Sequence, residues 1–260
     1  MRALWTASTG MYAQQFNMDN IANNLANVNT VGYKKSRVEF QELLYETIRQ
    51  PVANGPGYNP VGLMVGHGVR TVCNTRQFSQ GTPQQTDLPT DLMIDGEGFF
   101  ILLTPDGEEV YTRDGSFKID GEGNWVNSNG YMLATPLDQV PPEVKEISID
   151  ESGLVLALVE GEEEPVELGQ LELARFVNPA GLKSLGDNLY AETVASGPPI
   201  IGIPGEEGLG KIRQGYLELS NVKVVEEMVN MIMAQRAYEI NSKVIQASDE
   251  MLGLANNLRR

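Results

Sequence analysis

The chain has 260 residues with 35 acidic and 19 basic side chains, a formal charge of -16, and this speaks against a nucleic-acid partner, whose phosphates call for a basic surface. A single cysteine, Cys73, and a single histidine, His67, exclude an intramolecular disulfide framework and a Cys/His zinc site built from this chain alone. With 41% apolar residues, 14 Pro and 27 Gly, there is material for a core in one large or two modest domains.

From Leu4 to Val28 there is no proline and one glycine, Gly10, and Leu4, Met11, Met18 and Leu25 recur at heptad spacing with Ala7, Gln14, Ile21 and Val28 three residues on. The spacing predicts an amphipathic helix with a coiled-coil seam, roughly 40 Å long at about 1.5 Å per residue. Gly32, able to take a positive φ, is the expected stop. The start lacks the apolar run and cleavage site of a standard secretory signal, and no stretch is apolar for the length of a bilayer, so a soluble chain with another route of export is expected. Asn17, Asn20, Asn23, Asn24, Asn27 and Asn29 put six asparagines into thirteen positions, although each costs a few tenths to about 0.7 kcal/mol against alanine in a helix interior. Either the helix end is frayed, or the amides form lateral hydrogen bonds in a packed array and fix register among interchangeable seams, which is the favoured reading.

Residues 51–68, rich in Gly and Pro, predict an extended loop or ribbon. Next come reversal dipeptides, Asp95-Gly96, Asp106-Gly107, Asp114-Gly115, Asp120-Gly121 and Asn129-Gly130, separating β-forming runs at Phe99–Leu103, Val110–Thr112, Phe117–Ile119 and Tyr131–Leu133. Further runs at Ile147–Ile149, Leu154–Val159, Val166–Leu168 and Leu171–Phe176 continue an antiparallel β domain, with the acidic Glu160–Glu164 read as a solvated loop. Residues 51–210 hold seven basic and 25 acidic groups, a charge of -18, while residues 1–50 and 211–260 are each +1. The charge distribution predicts a solvent-facing middle and two ends that avoid like-charge repulsion.

The carboxyl end mirrors the start. Val224, Met231, Tyr238, Ile245 and Leu252 hold one heptad position, Ala234, Asn241, Ser248 and Ala255 follow three residues later, and Ala237, Val244, Met251 and Leu258 widen the stripe. Ser220 or Asn221 is the expected cap, Glu226 and Glu227 suit the first turns, and Arg259 and Arg260 the other pole. So broad a stripe favours a multi-helix bundle or assembly over a two-helix coil, although the two helices pairing with each other is part of the expectation.

No catalytic constellation emerges. Asp120, Glu122 and Asn124 open like a calcium loop, but Trp125 and Tyr131 stand where glycine and glutamate are needed, so a hairpin turn is expected. His67 reads as a surface histidine, and Gly96-Glu97-Gly98 precedes a strand and not a helix, so it is no phosphate loop. The fold class is α+β, an antiparallel β domain inserted between long N- and C-terminal coiled-coil-forming helices. No enzyme activity, cofactor or metal is expected.

The run Met18-Asp19-Asn20-Ile21-Ala22-Asn23-Asn24-Leu25-Ala26-Asn27-Val28-Asn29-Thr30-Val31-Gly32-Tyr33-Lys34 closely resembles the amino-terminal signature of bacterial flagellar rod and hook proteins. Gln214–Glu218, Ser220–Val222, Glu226–Ile232 and Gln235–Glu239 resemble the matching carboxy-terminal motif, and Asp95–Phe100 with Tyr111–Phe117 the family's β domain. The length, Tyr45–Pro51 and the insert to about Arg70 resemble the distal-rod type, with a proximal rod component or a short hook protein as the alternatives. The insert is richer in Gly and Pro, at Asn54–Pro60, than the family's polar insert.

The resemblance implies a basal-body rod subunit of the periplasm-spanning shaft. It polymerises with itself into a hollow rigid drive shaft that carries torque to the hook and serves as an export channel. Implied partners are proximal rod proteins, hook protein, the surrounding P and L ring proteins and the flagellar type III export apparatus. Residues 1–30 and 220–260 would form a helical coiled-coil inner domain, 31–80 a linker and extended insert, and 81–219 an acidic β domain. The implied subunit interface comprises Leu4, Met11, Met18, Ile21, Asn23, Asn24, Leu25, Asn27, Val224, Met231, Tyr238, Ile245 and Leu252.

Overall fold

The computed structural model describes residues 2–51, 61–141, 143–160 and 165–257. The Gly/Pro-rich residues 52–60, Glu162, Glu163 and Glu164 of the acidic loop, and Leu258, Arg259 and Arg260 at the far end lie outside the described residues. The chain is α+β and divides into two units, one drawn from Met1–Ala26, Ser36–Thr75 and Lys223–Arg260, the other from Asn27–Lys35 and Arg76–Val222.

The first unit holds helix α1 (Arg2–Ala26), strands β1 (Ser36–Glu42), β2 (Tyr45–Arg49), β3 (Leu63–Gly66) and β4 (Val69–Arg76), and helix α2 (Val224–Asn257). The segment read as linker and insert forms two ribbons here, β1 with β4 and β2 antiparallel to β3. Gly10 backs onto the Asn241 side chain, and fourteen residues further along α1 Asn24 reaches Glu227, fourteen residues back on α2. The helices are therefore paired antiparallel.

Two expectations about helix ends are corrected. α1 stops at Ala26, before Asn27 and Val28, because Asn27 accepts the Thr30 N–H on its carbonyl and the Thr30 hydroxyl on its side chain, closing a turn. Gly32 does take a φ of +69°, but within a later turn pressed against the backbone of Arg113 and Asp114, where a Cβ would lie 2.6 Å from the Asp114 nitrogen. At the other end, α2 begins at Val224 and not at Ser220 or Asn221. The Asn221 side chain instead accepts the Lys35 N–H at 2.7 Å and donates to the carbonyls of Gln77 and Ser79.

In the second unit the strands follow in order: β5 (Pro83–Gln85), β6 (Leu92–Asp95), β7 (Phe99–Leu103), β8 (Glu109–Thr112), β9 (Lys118–Ile119), β10 (Trp125–Val126), β11 (Met132–Leu133), β12 (Val144–Ile149), β13 (Leu154–Val159), β14 (Val166–Gln170) and β15 (Leu173–Arg175). They continue with β16 (Lys183–Gly186), β17 (Leu189–Ala191), β18 (Ile200–Gly202), β19 (Lys211–Gln214) and β20 (Tyr216–Glu218). A nine-stranded sheet runs β16-β17-β8-β7-β11-β10-β9 with β15 on β7 and β18 on β15, and β12-β13-β14 forms a second sheet. Of the five reversal dipeptides, Asp106-Gly107, Asp120-Gly121 and Asn129-Gly130 lie between antiparallel partners. Asp95-Gly96 and Asp114-Gly115 join strands that do not pair with each other, β6 to β7 and β8 to β9, and so close no hairpin. Between β7 and β8, Gly107 takes a φ of 83°, which a glycine reaches without steric cost, and its N–H bonds the Thr104 carbonyl. Asp120 also closes a turn, its carboxylate accepting the N–H groups of Glu122 and Asn124.

β7 shows why the core forms. Its side chains alternate between faces, so Phe100 and Leu102 enter one cluster with Leu92, Phe117 and Trp125, while Phe99 and Ile101 enter another with Tyr111, Phe176 and Tyr190. In the second cluster Phe99 meets Phe176 edge-on at 5.8 Å, and Tyr111 meets Phe176 at 4.8 Å, a geometry that adds to simple area burial.

Three of the buried charged residues of this unit form one cluster. Lys34 donates to the Glu218 carboxylate at 2.6 Å and to the Ser79 carbonyl at 2.9 Å, and the Gly81 N–H reaches the same carboxylate oxygen at 2.7 Å. The Arg113 guanidinium stands 3.9 Å from the other oxygen and donates to the Gly96 carbonyl. Lys34 is fully buried and Glu218 nearly so. Burial pulls the Lys34 ammonium below its ordinary pKa, against the opposing pull of Glu218. Burial likewise lowers Arg113.

Candidate subunit interface

The helix pair of the first unit is where sequence and structure disagree with a self-sufficient fold. On α1 the fully buried positions are Ala7, Ala13, Asn20, Ile21 and Asn24, and on α2 they are Glu227, Ala234 and Ser248. The centre of the pairing is small and polar, so most of the apolar side chains lie outside it. On α1, Trp5 is 71% and Tyr12 67% exposed, with Phe16 one turn further on the same face. On α2, Val225, Met228, Val229, Ile232, Met233, Ile240, Val244, Met251 and Leu254 are exposed, Ile240 at 61% and Met251 at 62%.

Residues on α2 spaced by three, four and seven cover a helix face, and its exposed and half-buried apolar residues between them go round the whole circumference. Charged residues, among them Arg236, Glu239, Lys243 and Glu250, are interspersed with them. Among the described residues no helix is long and apolar enough to cross a membrane.

The residues singled out from the sequence are placed as follows. Leu4, Met11, Met18, Leu25, Asn27, Met231 and Ile245 are half-buried. Val224, Tyr238, Leu252 and Asn23 are exposed. Ile21 and Asn24 are buried inside the subunit. The asparagine array also has an internal use: Asn20 and Asn24 both donate to the Ser36 carbonyl at 2.8 Å, Ser36 N–H donates to the Asn24 side chain at 2.9 Å, and Asn24 donates to Glu227 at 3.4 Å. These two amides are thus engaged within the subunit.

Sequence reasoning passed over Trp5, Tyr12 and Phe16, whose spacing of seven and four was visible as an aromatic face. It also passed over Ser36 as the partner of the amides, for which no local signal exists. His67 is exposed, 3.8 Å from Glu46, and among the described residues no cluster of His, Cys, Asp and Glu could hold a metal ion.

Comparison with known proteins covers the chain from end to end. Residues 4–34 match the family model described as flagella basal body rod protein, residues 93–157 that of the flagellar hook protein FlgE/F/G D1 domain, and residues 213–258 that of the flagellar basal body rod FlgEFG protein C-terminal region. A flagellar basal-body rod protein FlgG of Borreliella burgdorferi is 54% identical over 264 residues, covering 100% of this chain and 99% of the relative. Proteins of the same name from Caulobacter vibrioides and Bacillus subtilis are 46% and 38% identical, each match covering 100% of both chains.

Proposed function

Because the chain belongs to the flagellar basal-body rod family, as a structural subunit of the distal rod in the basal body, we propose that its two terminal helices are the polymerising element. In this reading α1 and α2 pack with the helices of other copies as a coiled coil lining a hollow tube, and the acidic β unit forms the outer layer. The interface uses Leu4, Met11, Met18, Leu25, Val224, Met231, Tyr238, Ile245 and Leu252, together with the exposed Trp5, Tyr12 and Phe16. The ribbons β1–β4 and β2–β3 link neighbouring subunits and stiffen the shaft. The tube transmits torque to the hook and serves as an export channel. Its ends meet proximal rod proteins and hook protein, its wall faces the P and L rings, and the flagellar type III apparatus delivers the subunits.

One observation carries this reading: α2 keeps apolar side chains around its whole circumference while the subunit alone covers only a small, polar strip of it. Electron cryo-microscopy of the purified chain under assembly conditions tests it. The expected image is a tube with α1 and α2 lining the channel. Filaments with the β unit innermost, or a chain that stays monomeric at every concentration tried, would refute it.

A further inference from the structure

We propose that Asn24 and Glu227, supported by Asn20 and Ser36, are positioning residues that fix the register of the antiparallel helix pair, a register that the apolar repeats leave open. The seams on α1 and α2 repeat every seven residues, so sliding one helix by a heptad presents an equivalent set of side chains. Gly10 alone does not prevent it, although Asn241, which fits against Gly10, would then meet Ala3 or Asn17. Gly10 faces Asn241, and a slide of seven in either direction would bring it to Ala234 or Ser248, both small and both buried already.

The polar cluster, by contrast, occurs once along the pair. Glu227 is 3% and Asn24 1% exposed, and a buried carboxylate without donors is costly, whereas apolar contacts are interchangeable. Slid one way, Glu227 would pass the end of α1 at Ala26. Slid the other way, it would meet Asn17, which is half-buried and outside the Ser36 cluster. Asn24 is held rigidly for its task. Ser36 both donates to its side-chain oxygen and accepts from its amide, and Asn20 shares the Ser36 carbonyl and accepts from the Ser36 hydroxyl. A single buried polar contact setting the register of an otherwise degenerate helix pair is the best-attested role for such groups. The register decides which outward residue of α2 stands beside Trp5, Tyr12 and Phe16, and hence which surface a second subunit meets. That consequence rests on the interface reading above, while the register itself does not.

Cysteine pairs in the full-length chain, in a Cys73→Ser background, test the register directly. A Cβ on Gly10 would approach the Asn241 side-chain nitrogen to 2.9 Å, an atom that Asn241→Cys removes, so Gly10→Cys with Asn241→Cys reports the observed register. Gly10→Cys with Ala234→Cys and Gly10→Cys with Ser248→Cys report the two slides. With Asn24 and Glu227 intact, the first pair should close on mild oxidation and the other two at about tenfold lower yield or less, as the loss of one buried hydrogen-bonded contact implies.

Asn24→Leu with Glu227→Met keeps side-chain shape and removes the polar contact. Helicity by circular dichroism should persist, and the slid pairs should close nearly as well as the first. Glu227→Gln, which keeps the hydrogen bond, should restore the single register. The proposal is overturned if the Leu/Met variant still closes only the first pair, and equally if it loses its helicity and closes none, because packing alone is held to keep the helices together. Unaltered assembly by a variant shown to slide would count against the interface reading and leave the register assignment standing.

Discussion

The two units of this chain solve the same problem in opposite ways. In the β unit, the strand β7 buries both faces, and the charged Lys34, Glu218 and Arg113 are taken inside and paired. In the helical unit, the polar residues Asn20, Asn24 and Glu227 are inside while Trp5, Tyr12, Ile240 and Met251 face out. The difference teaches that burial in one subunit is the wrong yardstick for both. The β unit covers both faces of its central strand within one subunit, whereas the helix pair leaves large apolar side chains exposed.

The sharpest way to break the comparison is at the buried charges. Glu218→Ala would leave Lys34 and Arg113 as two cations inside the β unit with no carboxylate between them. Removing one partner of a buried ion pair costs about 3–5 kcal/mol, and denaturant unfolding should show a loss of this size. A loss below about 1 kcal/mol would mean that water reaches the cluster. Next in size is Gly32→Ala, which combines a positive φ with a Cβ only 2.6 Å from the Asp114 nitrogen. A cost of about 1–3 kcal/mol is expected from the backbone alone, read as a lowered melting temperature of the β unit.

The helical unit should respond in the reverse sense. Ile240→Asp places a charge where the subunit is already open, so the monomer's unfolding free energy should change by no more than about 0.5 kcal/mol. Its polymerisation, followed by sedimentation, should be abolished. Normal polymerisation would put Ile240 outside the interface.

The smallest effect concerns alkaline pH. Burial, and then Glu109 beside it, hold the Tyr111 hydroxyl above its ordinary value near 10. Above that pH the unfolded chain loses the phenolic proton first, so the folded state binds more protons and stability falls as pH rises. Tyr111→Phe should make that alkaline loss shallower while leaving stability near neutrality almost unchanged. An identical slope in both proteins would contradict the assignment.

What the sequence could and could not disclose follows the range of the interactions. The turn at Asp106-Gly107 and the strands Phe99–Leu103 and Leu154–Val159 were legible with their bounds, because a glycine's positive φ and a short run of β-forming residues between turn signals are local properties. The helices were legible from their heptads, but their ends were not. Asn27 and Asn221 were available to extend or cap a helix, but Asn27 closes a turn with Thr30 and Asn221 is taken by Lys35 and Ser79.

The pairing of Lys34 with Glu218 joins residues 184 apart and left no trace in composition or spacing. The asparagine run was visible as an anomaly. Its partner Ser36 was not, since the return of the chain onto α1 depends on the turn at Asn27–Thr30. For the candidate interface, the seams were readable as apolar, but which flank of each helix is covered in the subunit depends on the pairing of α1 with α2.

The central claim is that α1 and α2 are completed by other copies while the β unit is complete in one. Hydrogen exchange of monomer and assembled filament, compared peptide by peptide, tests it most directly. On assembly, protection should rise by orders of magnitude along α2, most of all in its exposed end at Met251–Asn257, and stay the same in β7 and β8. Equal protection of α2 in monomer and filament, or a gain confined to the β unit, would contradict the account.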